Sequence, residues 1–141
     1  MKIKYPRLVL GAFILNDKGE LFLRTTPNHG NKYTCVNGAL EWGRTLEKAL
    51  AKNVRDKTNL DMDACKLIGL TDGLNIQVPG ERELVNMVFA DYMVTVKSNH
   101  KFKSDSDRDC QWLLPSEWLK MGEDAFAPYI FDVVKKLTAE V

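Results

Sequence analysis

The nine residues from Arg7 to Leu15, RLVLGAFIL, are apolar at both odd and even positions. Successive side chains of a strand point to opposite faces of the sheet, so this composition predicts a strand that is covered on both sides. The segment from Glu83 to Val96, ELVNMVFADYMVTV, has the same character. Two such strands favour a sheet that lies between layers of helices.

Turn residues divide much of the remaining chain into further short strands. NDKG, from Asn16 to Gly19, separates the first strand from ELFLRTT and predicts a hairpin. We expect other strands near 33–36, in CKLIGLTDGL, and in DCQWLLP, which ends at Pro115. Trp112 alternates with apolar neighbours in the last of these and is predicted to lie in the core.

Two segments have the periodicity of amphipathic helices. The first runs from about Thr45 to Thr58, with Thr45 as the N-cap and Asn59 as a left-handed residue after the last turn. The second is APYIFDVVKKLTAEV at the end of the sequence, with Pro128 in its first turn. The inward-facing residues that this spacing predicts are Leu46, Ala49, Leu50 and Val54 in the first helix and Ile130, Val133, Val134 and Leu137 in the second.

The size and charge of the chain limit the classes of protein to consider. Its 141 residues predict one domain, residues 1–141, large enough to bury its own core. A net charge of +1 gives no strong field for nucleic acid or a membrane surface, and no apolar segment has membrane-spanning length. Cys35, Cys65 and Cys110 are odd in number and far apart, which is typical of reduced thiols in a cytoplasmic protein.

The order of these elements, with a glycine turn before the first helix, resembles a Nudix domain over nearly the whole chain. The box of that family is G-x5-E-x7-R-E-U-x-E-E-x-G-U, where U is aliphatic, and Gly38 takes the opening position. The resemblance implies an α+β fold of the Nudix type, an α/β/α sandwich with a mixed β-sheet between helices. The departures from the box are Arg44 at its first Glu, Lys52 at its Arg, Asn53 at the next Glu, Asp56 and Lys57 at the Glu-Glu pair, and Asn59 at its Gly.

These departures affect the metal chemistry that the resemblance implies. Positions 53, 56 and 57 share one helix face, where Glu residues of an active family member would bind Mg²⁺ or Mn²⁺. Here the face has one amide, one carboxylate and one ammonium group. The resemblance therefore implies a reduced Mg²⁺ or Mn²⁺ site on Glu41 and Asp56, with both residues catalytic. Asp105, Asp107 and Asp109 precede the Trp-bearing strand, and Asp107, with Asp109 as the alternative, is assigned to this catalytic group.

The positive charge of the first helix favours a different arrangement. From Arg44 to Lys57 there are five basic and two acidic residues, a net charge of +3 that repels a divalent ion and attracts phosphate. A metal-independent site would bind a diphosphate through Lys57, Lys52 or Arg44. Arg24 resembles a basic residue that often faces substrate phosphates in the family, and Gly38 shapes the adjoining turn. The alternative for Lys52 and Lys57 is a solvated helix face.

Two functions from different classes are therefore open. The first is a divergent Nudix-type hydrolase of a nucleoside diphosphate linked to another group, such as a nucleotide sugar, with weak or altered metal dependence. GDP-mannose mannosyl hydrolases are faintly similar and also have an incomplete box. The second is a catalytically impaired Nudix-fold module that binds a nucleotide or a protein partner. Trp42 either stacks on a nucleobase or packs under its loop. The resemblance also implies a homodimer, because family members often dimerise.

Overall fold

A seven-stranded mixed sheet forms the centre of the described part of the chain. The computed structural model describes residues 4–140, with the backbone alone for Glu140. β1 is parallel to β6 on one side and antiparallel to β2 and β4 on the other. The strands are β1 (Arg7–Leu15), β2 (Leu21–Thr26), β3 (Lys32–Thr34), β4 (Val36–Ala39), β5 (Ala64–Ile76), β6 (Val85–Thr95) and β7 (Cys110–Leu113).

Helices cover both faces of this sheet. The helices are α1 (Leu46–Thr58), α2 (Pro115–Leu119) and α3 (Ile130–Glu140). One core cluster joins Leu10 of β1 to Leu50 of α1, and the other joins Phe13 of β1 to Trp118 of α2 and Val134 of α3. Alternate side chains of β1 thus enter different cores, as the apolar sequence of this strand predicts. The predicted α/β/α sandwich with a mixed sheet between helices is confirmed.

The predicted ends of α1 are also found in the structure. Thr45 Oγ1 accepts a hydrogen bond of 3.2 Å from the Lys48 amide. Asn59 has a φ of 61°, and its N–H donates a hydrogen bond of 2.9 Å to the Arg55 carbonyl. Leu46 differs from the prediction, because it is 39% exposed and the buried stripe begins at Ala49. The helix that carries the candidate site residues is therefore fixed by local sequence chemistry at both ends.

Two other elements differ from their predicted bounds. α3 begins at Ile130, and Pro128 precedes the helix, because Tyr129 has a φ of 65°, which is incompatible with a helical turn. The strand expected near 33–36 is two strands separated by Cys35, since β3 pairs with β2 whereas β4 pairs with β1. All four residues predicted to face inward from α3 are buried.

Three further expectations concern membrane-spanning segments, the cysteines and Trp112. None of the helices within residues 4–140 is long and apolar enough to cross a membrane. Cys35, Cys65 and Cys110 are free thiols, as their spacing predicts. Trp112 is half-buried and packs against Phe22, with 5.1 Å between the ring centroids.

Candidate functional site

The close contact between β4 and α1 builds the site. A Cβ atom at Gly38 would overlap the side-chain amide of Asn53, so only glycine allows the helix to lie this near the strand. The Asn53 Nδ2 atom is buried and has no hydrogen-bond partner within residues 4–140. Gly38 thus acts through packing, and it brings the face of α1 that carries Asn53 and Lys57 against the backbone of β4.

Lys57 places a positive charge against the backbone beside Gly38. Its ammonium donates a hydrogen bond to the main-chain carbonyl oxygen of Asn37. Burial lowers the pKa of Lys57 below its usual range; the charge of Arg24 lowers it further, and the charge of Asp105 opposes this shift. The pKa also falls because of the charge of Arg108. A half-buried ammonium among other cations is an arrangement that favours an anionic ligand.

Arg24 lies beside Lys57 and is almost completely buried. Its side chain is 5% exposed, and its Nη1 atom is 2.6 Å from Oδ1 of Asp105, which is 36% exposed. The Asp105 amide donates a 3.3 Å hydrogen bond to the Lys57 carbonyl, so the loop between β6 and β7 is attached to the end of α1. Arg24 and Lys57, which the sequence assigned to ligand binding, are therefore brought together.

The remaining predicted residues form a separate and more exposed group. The Lys52 ammonium is 2.8 Å from Asp56 Oδ2 and 3.4 Å from Glu41 Oε1, while Arg44 Nε is 3.1 Å from Glu41 Oε2. The hydrogen bond from Arg44, together with the charge of Lys52, keeps the pKa of Glu41 below its usual range. The bond to Asp56 raises the pKa of Lys52. Both carboxylates that the sequence assigned to a metal ion thus have basic partners.

These residues, as they are arranged, do not fit a divalent ion. Mg²⁺ prefers six oxygen ligands, of which the protein usually supplies one or two carboxylates. Residues 4–140 contain no group of three or more His, Cys, Asp or Glu side chains that could hold a metal. Glu41 and Asp56 converge on one point, but the Lys52 ammonium occupies it. Asp107 is exposed in the loop that precedes β7, and its neighbour Asp105 is the acid that contacts Arg24.

Arg24 and Lys57 form a cationic group. Asn37, whose carbonyl accepts from Lys57, also lines a cavity of about 380 Å³. The rings of Phe89 and Tyr129, which line it, are 4.8 Å apart between centroids, with 36° between their planes. Asn28 and Thr34 add polar groups to the same wall. A cavity of this volume with aromatic walls and a few polar groups is typical of a site for a small organic ring. A larger cavity of about 540 Å³ near Asn59 and Lys97 contains none of the predicted site residues.

Sequence reasoning missed several parts of this site. Asn37 contributes a main-chain carbonyl, which no side-chain pattern indicates. Phe89 and Tyr129 are far apart in sequence and meet only in the folded chain. Trp42 is fully exposed, which excludes packing under its loop.

The sheet topology and the helices on its two faces, together with similar solved structures, show that the chain has the Nudix fold. No family model matches the chain. One similar structure is the MutT protein from Methanosarcina mazei Go1, at 18% identity and a TM-score of 0.72, covering 99% of this chain and 98% of that one. The Nudix domain of Shewanella oneidensis NrtR complexed with ADP ribose is 14% identical, with a TM-score of 0.73 and coverage of 98% and 90%.

A third similar structure is a binary complex of the C. elegans Ap4A hydrolase. It is 11% identical, with a TM-score of 0.68, and the match covers 95% of this chain and 96% of that chain. At these identities the likeness establishes the fold and leaves the function to be argued from the site.

Proposed function

We propose that this chain binds a nucleoside diphosphate, or a nucleoside diphosphate linked to another group, without requiring a divalent ion. The observation that carries the proposal is the Lys57 ammonium, which contacts the Asn37 carbonyl beside the buried guanidinium of Arg24. In this arrangement Lys57 supplies positive charge where an active Nudix enzyme would hold a metal. The phosphates would contact Lys57 and Arg24, and the base would enter the cavity lined by Asn37, Phe89 and Tyr129.

The phosphate site and the cavity for the base are connected through one residue. Asn37 belongs to both parts, since its carbonyl accepts from Lys57 and the residue lines the cavity. A ligand with a diphosphate attached to a ring system therefore fits this site. Its phosphates would contact the cations, and its ring would lie against the aromatic side chains of the cavity. One similar structure, the Shewanella NrtR domain, is a complex with ADP ribose, a ligand of this class.

We propose binding without hydrolysis because Asp105, Glu41 and Asp56 are all paired with basic side chains. Hydrolysis at phosphorus needs a group that activates water, usually a carboxylate or a metal-bound water. Asp105, whose charge acts on Lys57, is paired with Arg24. Glu41 and Asp56 are each paired with basic side chains. We therefore propose a binding module whose partner is a small-molecule nucleotide.

A second candidate is the metal-dependent hydrolase, and one specific observation favours it. Glu41 and Asp56 share the ammonium of Lys52, so their carboxylates converge on a point that already attracts a cation. All three side chains are 40% exposed or more, which would allow Lys52 to leave. Under this alternative, Mg²⁺ or Mn²⁺ would replace Lys52 there.

A paired assay separates the two candidates. ADP, ADP ribose and GDP-mannose are tested for turnover and for a shift in melting temperature, with excess EDTA and with excess Mg²⁺ or Mn²⁺. We expect stabilisation by at least one nucleotide in EDTA and no turnover in either condition. Turnover that requires the metal and disappears in Asp56→Ala, while Asp61→Ala in the segment after α1 retains it, would establish the hydrolase instead.

A further inference from the structure

The cationic site already contains an anion, the carboxylate of Asp105. Its Oδ1 atom is 2.6 Å from Arg24 Nη1, and its charge is one of those that act on Lys57. The positive charges of Arg24 and Arg108 also act on Lys57. One carboxylate thus faces several positive charges, and a net positive charge is left for a ligand.

The guanidinium of Arg24 is only partly satisfied by this contact. Asp105 accepts from Nη1, whereas the Nε atom of Arg24 is buried and has no hydrogen-bond partner within residues 4–140. A guanidinium can donate to two oxygens of one phosphate at once, through parallel N–H groups. A phosphate in place of the carboxylate could accept from Nη1 and Nη2 together, since these two nitrogens present parallel N–H groups.

Backbone hydrogen bonds hold the loop that carries Asp105, so its carboxylate can move away from Arg24 while the loop stays in place. The Asp105 amide is attached to the Lys57 carbonyl, and Ser104 Oγ donates a 2.9 Å hydrogen bond to the Ser106 carbonyl. The carboxylate itself contacts Arg24 and is 36% exposed, so a ligand can reach it from solvent. The loop can remain in place while this one side chain rotates away.

We propose that Asp105 is an internal counter-anion that competes with the phosphate of a ligand for Arg24. The inference rests on the proposed nucleotide-binding function and adds to it a residue that sets the affinity for phosphate. A bound phosphate displaces the carboxylate, donates nothing itself, and accepts from Arg24 and Lys57. Every anion that binds at Arg24 must displace the same carboxylate, so Asp105 lowers the affinity of the site for anions in general.

The test is the affinity for inorganic pyrophosphate, measured by calorimetry in EDTA for wild type, Asp105→Asn and Asp107→Asn. Asn at 105 keeps the shape and removes the competing charge, so we expect roughly tenfold tighter binding. Asp107→Asn changes the net charge of the same loop equally and is expected to have a much smaller effect. The inference would be overturned if Asp105→Asn bound pyrophosphate no more tightly than wild type, or no more tightly than Asp107→Asn. Either result would leave the proposed function intact. No binding by wild type or by either variant would overturn both.

A stability measurement covers the case in which Asp105→Asn folds poorly. The substitution leaves the buried charge of Arg24 without its counter-ion, which lowers stability. Pyrophosphate should then raise the melting temperature of Asp105→Asn more than that of wild type, because it replaces the missing anion. An equal or smaller rise, with sodium chloride at matched ionic strength as the control, would contradict the inference.

Discussion

Replacing Asn53 and Lys57 together by Glu is expected to create a divalent-ion site in this chain. The two positions lie one turn apart on the face of α1 that packs against β4, beside the Asn37 carbonyl. The change removes one positive charge and adds two negative ones, and each charge at about 4 Å is worth roughly 4 kcal/mol at an effective dielectric of about 20. After solvent screening we expect Mn²⁺ to bind at least about a hundredfold more tightly than to wild type.

The matched control is Asn53→Gln with Lys57→Gln. This pair has the same side-chain lengths as the Glu pair and removes the ammonium without adding carboxylates. A Mn²⁺ titration followed by calorimetry should show little gain in the Gln variant. Equal Mn²⁺ affinity in the Glu and Gln variants would mean that this face of α1 does not point to a cation site.

Replacing Lys57 by Met is expected to remove most of the nucleotide affinity. Met has a similar length and keeps the packing of the side chain, but it cannot donate to a phosphate. A hydrogen bond between charged groups contributes about 1.5–3 kcal/mol, so the affinity for ADP in EDTA should fall roughly ten- to a hundredfold. The measurement is the dissociation constant from calorimetry.

Stability and a second lysine provide the controls for this variant. Burial and the charge of Arg24 lower the pKa of Lys57, which means that folding disfavours its charge. The wild type should therefore gain stability as the pH rises towards the usual pKa of lysine, and Lys57→Met should melt no lower than wild type at neutral pH. Lys48→Met removes an exposed charge from the same helix and should leave the affinity for ADP unchanged. Equal losses of affinity in the two variants would show that only the net charge of α1 matters.

The sequence predicted those parts of the fold and the site that depend on neighbouring residues. The ends of α1 follow from the capping chemistry of Thr45 and Asn59, and both are found in the structure. The position of Lys57 on the face that carries Asn53 follows from helical spacing alone. The sandwich follows from strands that are apolar on both faces, of which β1 is the clearest example.

The parts that sequence reasoning missed depend on contacts between distant segments. Asp105 and Asp107 are equivalent in an acidic loop, and the contact with Arg24, 81 residues away, distinguishes them. The start of α3 depends on the left-handed conformation of Tyr129, whose ring packs against Phe89 of β6. The pairing of Glu41 with Lys52 also needs the folded loop, whereas the pairing of Lys52 with Asp56 follows from their spacing of four residues.

Calorimetric titration of the wild-type protein with ADP, in excess EDTA and again in excess Mg²⁺, tests the central claim. That claim is that Lys57 supplies the positive charge that a divalent ion would otherwise supply. We expect binding in EDTA that is at least as tight as in Mg²⁺, because Mg²⁺ bound to free ADP neutralises part of the charge that Lys57 and Arg24 attract. No binding in EDTA, with binding restored by Mg²⁺, would contradict it.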